Sequence, residues 1–482
     1  MDPANLSVQQ ITAKINKKEL LLTELGAILA GRSKYAQKKL NLFISFDPQL
    51  FTEQIKKNEQ STQVNRPPLW GVPVAIADNI TTVDQKTTCA SRLLAAYQPP
   101  FEAQAVSLLQ ENGALLIGKT NLEEFGLGCA GNSSYFKPVK NPWDIKRTAG
   151  SGAAAAVASG LATFALASDV RGEIRQAASY CGVIALKPTY GKIPREGLID
   201  SASSLEQTGI LARRVSDLAW ALQVLAVPGN NNPPAVKRPL YPEILGNIPA
   251  KTRIAVPADW DQAPLLEEGI KNNFREQLNK LARVGLEINY VTLPHFQYAS
   301  LVATIIGAVE AFSNLSNLDG VRFGYRKEGK HLQEMYIKTR SAGFSSKLKK
   351  FLTLGGLLST KKYYNSHFLQ GQKMRSIIKK ELLDCLQENE LLLTPTTPCN
   401  AILLDSSPPA GEELPDPAAY YTAAANLAGF PSLNFPVSTN GLPYGLQFMA
   451  KKEDEGVLLQ IAFLLEKEPI KWPIFALELQ EV

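Results

Sequence analysis

Short apolar runs alternate with amphipathic stretches along most of the chain, and this alternation predicts a layered α/β core. Residues 5–60 read as helical: Asn5 or Ser7 can cap a helix whose apolar face carries Ile11 and Ile15, and a second pattern over Lys38–Phe46 runs into Asp47–Pro48, which ends it. Residues 54–68 are polar and close on Pro67–Pro68, the mark of a connector. From Leu69 the pattern changes. Gly71–Ile76 reads as a strand, Val106–Glu111 as a helix, Ala114–Ile117 as a strand and Lys119–Leu127 as a loop entering a helix. The alanine-rich segment 152–166 predicts a buried helix, and Ile184–Leu186 a strand. Residues 226–250, rich in Pro and Asn, predict a surface excursion. Beyond them come a strand at Arg253–Val256, helices over 262–284 and 300–390, and a strand at Leu391–Thr396. A proline-rich loop over 401–417, strands at Leu433–Pro436 and Gly445–Phe448 and a helix over 454–467 complete the pattern.

Composition narrows the class without deciding it. The 482 residues are 45% hydrophobic and 20% charged, as in ordinary globular chains. Five cysteines lie far apart, with no CxxC spacing, so neither a disulfide framework nor a cysteine metal site is predicted; a reducing, cytoplasmic setting follows. The first residues lack the apolar core of a secretion signal, and the run Gly152–Leu166 is too short and too mild to cross a membrane. The net charge of +6 is modest, so the lysines at Lys347, Lys349, Lys350, Lys361, Lys362, Lys373, Lys379 and Lys380 read as solvated helix faces; direct nucleic-acid binding is not favoured. Glu123 and Glu124 are adjacent and should diverge, and His295, His331 and His367 fit no catalytic or metal spacing. No metal and no organic cofactor is implied. Cys181 reads as a small buried hydrophobe, not a thiol nucleophile.

Specific motifs carry more. Gly71–Ile80 reads GVPVAIADNI, Thr87–Ser91 TTCAS, Gly118–Phe125 GKTNLEEF, Asn141–Asp144 NPWD, Ser168–Gln176 SDVRGEIRQ and Lys187–Gly191 KPTYG. Asn426–Pro431 and Leu442–Gln447 add NLAGFP and LPYGLQ. In this order the chain resembles the amidase-signature family, and within it the GatA-type glutaminase subunits, from about residue 5 to 470. The resemblance implies a three-layer α/β/α fold around a large mixed β-sheet, with N-terminal helices. Residues 1–66 would form a helical region packing on the core, 67–470 the amidase-signature domain and 471–482 a C-terminal tail.

The resemblance also implies a chemistry. The family attacks amides with a serine, whose proton passes through a second serine to a buried neutral lysine, while backbone N–H groups hold the oxyanion. The lysine position is Ala77 here and the nucleophile position Glu173. The glycine–serine loop is shortened to Ala149–Ala153, with Ser151 as the remnant of the second serine, and Arg171 stands where the family has glycine. The positions that hold the substrate's carboxylate and amino group become Phe351 and Ala419. Asp78, Asn79, Asp169 and Arg175 are kept as pocket-lining candidates or as loop anchors, and Glu173 can pair with Arg171 or Arg175. Loss of a catalytic triad member costs on the order of 10³- to 10⁶-fold in rate. The sequence alone therefore predicts a catalytically inactive pseudoenzyme that binds, scaffolds or regulates, partnered by GatC-like or GatB-like subunits and meeting tRNA only through such a complex. The alternative is an active amidase, or a component of an amidotransferase that hydrolyses glutamine to supply ammonia.

Overall fold

The computed structural model describes residues 2, 5–60, 66–226, 240–247, 252–322, 324–405, 417–437 and 441–466. The N-terminal half contains α1 (Val8–Asn16), α2 (Leu22–Leu40), β1 (Phe43–Ser45), α3 (Pro48–Gln60), β2 (Pro73–Ala77), α4 (Gln104–Glu111), β3 (Leu115–Thr120), α5 (Gly152–Ala158), β4 (Phe164–Asp169), α6 (Glu173–Cys181), β5 (Ile184–Lys187), β6 (Gln207–Ala212) and α7 (Val215–Leu225). The C-terminal half contains β7 (Arg253–Pro257), α8 (Glu268–Arg283), β8 (Glu287–Val291), α9 (Ala299–Asn314), α10 (Leu332–Gly343), α11 (Ser346–Leu358), α12 (Lys361–Tyr363), α13 (Leu369–Glu388), β9 (Leu391–Pro395), α14 (Ala423–Ala428), β10 (Ser432–Val437), β11 (Tyr444–Met449) and α15 (Glu455–Leu465).

The strands form one 11-stranded mixed sheet in the order β1-β3-β2-β4-β6-β5-β10-β11-β9-β7-β8. β2 runs parallel to both β3 and β4, while β4 to β6, β5 to β10 and β10 to β11 are antiparallel. Successive strand residues point to opposite faces, yet every residue of β2, β3, β4, β6 and β11 is buried, so both faces of the central sheet are covered. This is the three-layer arrangement that the resemblance implies. The segment Phe296–Asn317 is long and apolar enough to cross a membrane, but α9 packs against α11, α13 and α14, which accounts for its composition. The α9–α11 crossing is close: a Cβ on Gly355 would lie 2.0 Å from the Ala308 carbonyl oxygen.

Ser7 caps α1 in a reciprocal box, its hydroxyl accepting from Gln10 N and its N–H donating to the Gln10 side chain. Other expectations are corrected. Asp47–Pro48 starts a helix: Pro48 opens α3 and the Asp47 carboxylate accepts from Gln49 N at 2.8 Å, so residues 54–60 are helical and not a connector. The alanine-rich run is not one helix. It stops at Ala158, turns through Gly160 at φ +75°, and enters β4 at Phe164. The stretch 300–390 is broken into α9 to α13. Much of the excursion over 226–250, the middle of the proline-rich loop over 401–417 and the tail 471–482 lie outside the described residues.

Candidate active site

β4 delivers Asp169 to its end, a tight loop follows, and α6 starts at Glu173. The turn depends on Gly172, which adopts φ +114° and touches Thr422: an added Cβ would lie 2.1 Å from Thr422 Oγ1. Thr422 in turn donates its hydroxyl to the Arg171 carbonyl at 2.6 Å.

Glu173 folds back over this loop. Its Oε2 accepts from Val170 N at 2.8 Å and Arg171 N at 2.7 Å, and its Oε1 lies 3.6 Å from Arg171 Nε. A carboxylate at the first turn of a helix is also favoured by the helix dipole. Burial nevertheless raises the pKa of the Glu173 carboxyl, against the pull of the Arg171 charge. Arg175, further along α6, is committed elsewhere. It makes a two-point pair with Asp169 (3.0 and 2.9 Å) and donates to Gln447 Oε1, Asn426 Oδ1 and the Thr422 carbonyl. Of the two partners considered for Glu173, Arg171 is therefore the one it meets.

Arg171 reaches away from the sheet towards α9 and α11. Its Nη1 donates to Thr304 Oγ1 at 3.3 Å, and its guanidinium lies 5.6 Å from the Phe351 ring centroid. A small cavity of about 30 Å³ opens beside it, lined by Arg171, Phe351, Glu124, Ser133, Lys347 and Lys350 among others. Lys347 is no solvated-face lysine: it pairs with Glu123 at 3.6 Å and borders this cavity.

The remaining predicted positions lie around this centre. Ala77 ends β2 opposite Thr120 and is 1% exposed. Asp78 accepts from Thr88 N at 2.8 Å and faces Lys119 Nζ at 3.6 Å; burial raises its pKa, with Lys119 opposing. Asn79 donates to Ser168 Oγ at 2.7 Å. Ser151, the expected relay, caps α5 by accepting from Ala153 N at 3.2 Å. Ala419 is buried in the same apolar cluster as Phe351. Of the predicted residues, Arg171 and Phe351 line the cavity; Ala77, Asp78, Asn79, Ser151, Asp169, Glu173, Arg175 and Ala419 do not.

The Amidase family model matches residues 27–459, and with them the whole of this site. The chain belongs to the amidase family. Among curated relatives, the A-type subunit of the Carboxydothermus hydrogenoformans glutamyl-tRNA(Gln) amidotransferase is 37% identical over 476 residues, covering 96% of this chain and 97% of that protein. Its Thermotoga maritima counterpart is 36% identical over 448 residues, covering 90% and 92%. The crystal structure of the Thermotoga maritima A-type subunit superposes with a TM-score of 0.77 at 30% identity, covering 98% of each chain. A bacterial aryl acylamidase of the amidase-signature family shares the fold, with a TM-score of 0.85 at 19% identity over 98% of each chain.

These matches correct the reading of this amidase-family chain as a protein without enzyme activity. Full-length relatives of this identity are A-type amidotransferase subunits, and nothing in them or in the structure shows a loss of activity. The reading of Ala77 and Glu173 as the family's lysine and serine positions rests on the sequence resemblance, and it does not say what the remaining groups can do. The loop after β4 holds a buried carboxylate and a buried guanidinium side by side.

Several members of the site are not among the site residues that the sequence predicts. Glu124 uses both oxygens, accepting from Ser91 Oγ at 2.6 Å and Ser345 N at 2.9 Å, while Glu123 binds Ser133 and Asn132 N, so the adjacent carboxylates do diverge. Thr304 and Thr422 approach the loop from segments 133 and 251 residues downstream of Arg171, with no local pattern to reveal them.

Proposed function

We propose that this protein acts as the A-type subunit of a glutamyl-tRNA(Gln) amidotransferase, cleaving the amide C–N bond of glutamine and releasing ammonia for the assembly. The observation that supports this most is the match of 35–37% identity to A-type subunits along nearly the whole of both chains. Its partners in this reading are B-type and C-type subunits, tRNA is met through the assembly and the setting is cytoplasmic.

The chemistry we assign to Glu173 follows from its surroundings. A general base works best when its pKa approaches the operating pH, and burial moves this carboxyl in that direction. In our reading Oε2 stays anchored on the two backbone N–H groups while Oε1 takes a proton from water as the water oxygen attacks the amide carbon. The same proton then passes to the departing nitrogen as the C–N bond breaks, so ammonia leaves, and the carboxylic acid that remains gives up its own proton to the solvent. The test is ammonia release from glutamine by the purified chain, alone and with B- and C-type subunits. Release above the uncatalysed rate supports the proposal; its absence from the reconstituted assembly overturns it.

A further inference from the structure

Arg171 and Arg175 are both buried, at 3% and 0% exposure, but they are satisfied very differently. Arg175 spends its donors on six acceptor atoms, two of Asp169 and one each of Asn426, Gln447, Thr422 and Ser432, three of them sharing the two hydrogens of Nη1. Among the described residues the Arg171 side chain donates one, from Nη1 to Thr304 Oγ1 at 3.3 Å. Among the described residues its Nε has no acceptor, because Glu173 Oε1 stands at 3.6 Å and Glu173 Oε2 is held by backbone N–H groups. A guanidinium offers five N–H donors in a planar fork that matches a carboxylate. Burying its Nε without a hydrogen-bond acceptor is unfavourable unless an acceptor arrives.

The acceptor has a place to arrive. Arg171 borders the cavity of about 30 Å³, with Lys347, Lys350 and Ser133 around it and the Phe351 ring against the guanidinium. That space fits a carboxylate headgroup but not an entire amino acid, so the rest of a ligand would stay at the mouth. Glu124, the acidic group on the wall, has both oxygens hydrogen-bonded, and burial pushes its carboxyl up, which weakens its repulsion of an anion.

We infer that Arg171 is the specificity-determining residue for substrate, gripping the carboxylate of a carboxylate-bearing amide in this cavity. The inference rests on the proposed amide-cleaving function and names the substrate group that the site recognises. The guanidinium stands on the loop after β4, against the α11 side chain Phe351.

Calorimetric titration of the full chain with L-glutamine and with L-glutamine amide, which lacks the carboxylate, tests this. Glutamine is expected to bind at least tenfold more tightly, Arg171→Met to abolish that preference, and Arg171→Lys to restore part of it. Equal affinity for the two ligands, or no binding of either, overturns the inference, and this comparison on the unmodified chain needs no variant to fold. An unchanged preference in a folded Arg171→Met protein, checked by its melting curve, also overturns it. Ammonia release is read separately: a carboxylate preference without release refutes the amide-cleaving reading alone, and release without the preference refutes this inference alone.

Discussion

Arg175 grips Asp169 through Nε–Oδ2 at 3.0 Å and Nη2–Oδ1 at 2.9 Å, with both side chains at 0% exposure. The pair ties the end of β4 to α6 and, through Asn426 and Gln447, to α14 and β11. Removing one partner of a buried ion pair leaves a charge without compensation, so Arg175→Met should lose about 3–5 kcal/mol in urea denaturation. Burial alone would push the Asp169 carboxyl up, but the Arg175 charge and its hydrogen bonds, with Lys187 and Asn426 adding to them, outweigh burial and hold it below the ordinary carboxylate range. A depressed pKa in the folded state contributes stability above the unfolded value of about 3.9 and loses it as pH falls through the folded value. The destabilisation by Arg175→Met should therefore be full at neutral pH and shrink in acid below about pH 4.

Glu206 behaves in the opposite sense. Burial, with Asp200 adding to it, raises its carboxyl to about 8, while Ser201 N at 2.8 Å and Asn79 Nδ2 at 3.4 Å donate to it. The folded protein thus keeps a proton that the unfolded chain releases above about pH 4.3. This contribution is fully present below that value and is lost as pH rises through about 8. Glu206→Gln should flatten the stability profile across this window and make the variant more stable than the parent at pH 8, relative to the difference at pH 4. Parallel profiles in chemical denaturation would refute the assignment.

Gly172 is the hinge on which the loop turns. With φ at +114° and Thr422 Oγ1 2.1 Å from the place of a Cβ, Gly172→Ala must shift either the loop or the Thr422 segment that leads into α14. The combined backbone and packing cost is about 2–4 kcal/mol. Thermal denaturation should show that loss, and ammonia release should fall with it because Glu173 is positioned by the same turn.

Glu173→Gln separates chemistry from folding. The amide can still accept from Val170 N and Arg171 N, but it leaves the buried Arg171 without its counter-charge, so the variant should stay folded with a lowered melting temperature, by less than in Arg175→Met because this pair stands 3.6 Å apart. As a base it is useless, so kcat should drop by about 10²- to 10⁴-fold. In the parent, kcat/KM should rise with pH along a limb lying above the ordinary Glu pKa of about 4.3, because burial raises this group. An unaltered kcat in the variant would assign the base elsewhere.

The sequence and the structure agree where the signal is local. The Ser7 cap is legible because the hydroxyl and its Gln10 partner are three residues apart. The segment around Ala158–Phe164 is not, because a buried alanine-rich helix and a fully buried strand share the same apolar composition, and only the Ser159–Gly160 turn separates them. Pro48 is ambiguous for a related reason: proline ends a helix from inside but also opens one at its first position. At the site, the Asp169–Arg175 segment is visible as a motif, whereas the roles of Arg171 and Lys347 depend on α9 and α11, brought over the loop by packing alone. The step from missing residues to missing activity misleads most. That positions 77 and 173 hold alanine and glutamate is a local fact, and activity belongs to the whole site.

The central claim is amide cleavage, and the most direct measurement is ammonia release from L-glutamine by the purified chain, alone and together with B- and C-type amidotransferase subunits. The account predicts release that saturates with glutamine and collapses in Glu173→Gln. Release no faster than the buffer blank in the full assembly, or release unaffected by Glu173→Gln, would contradict it.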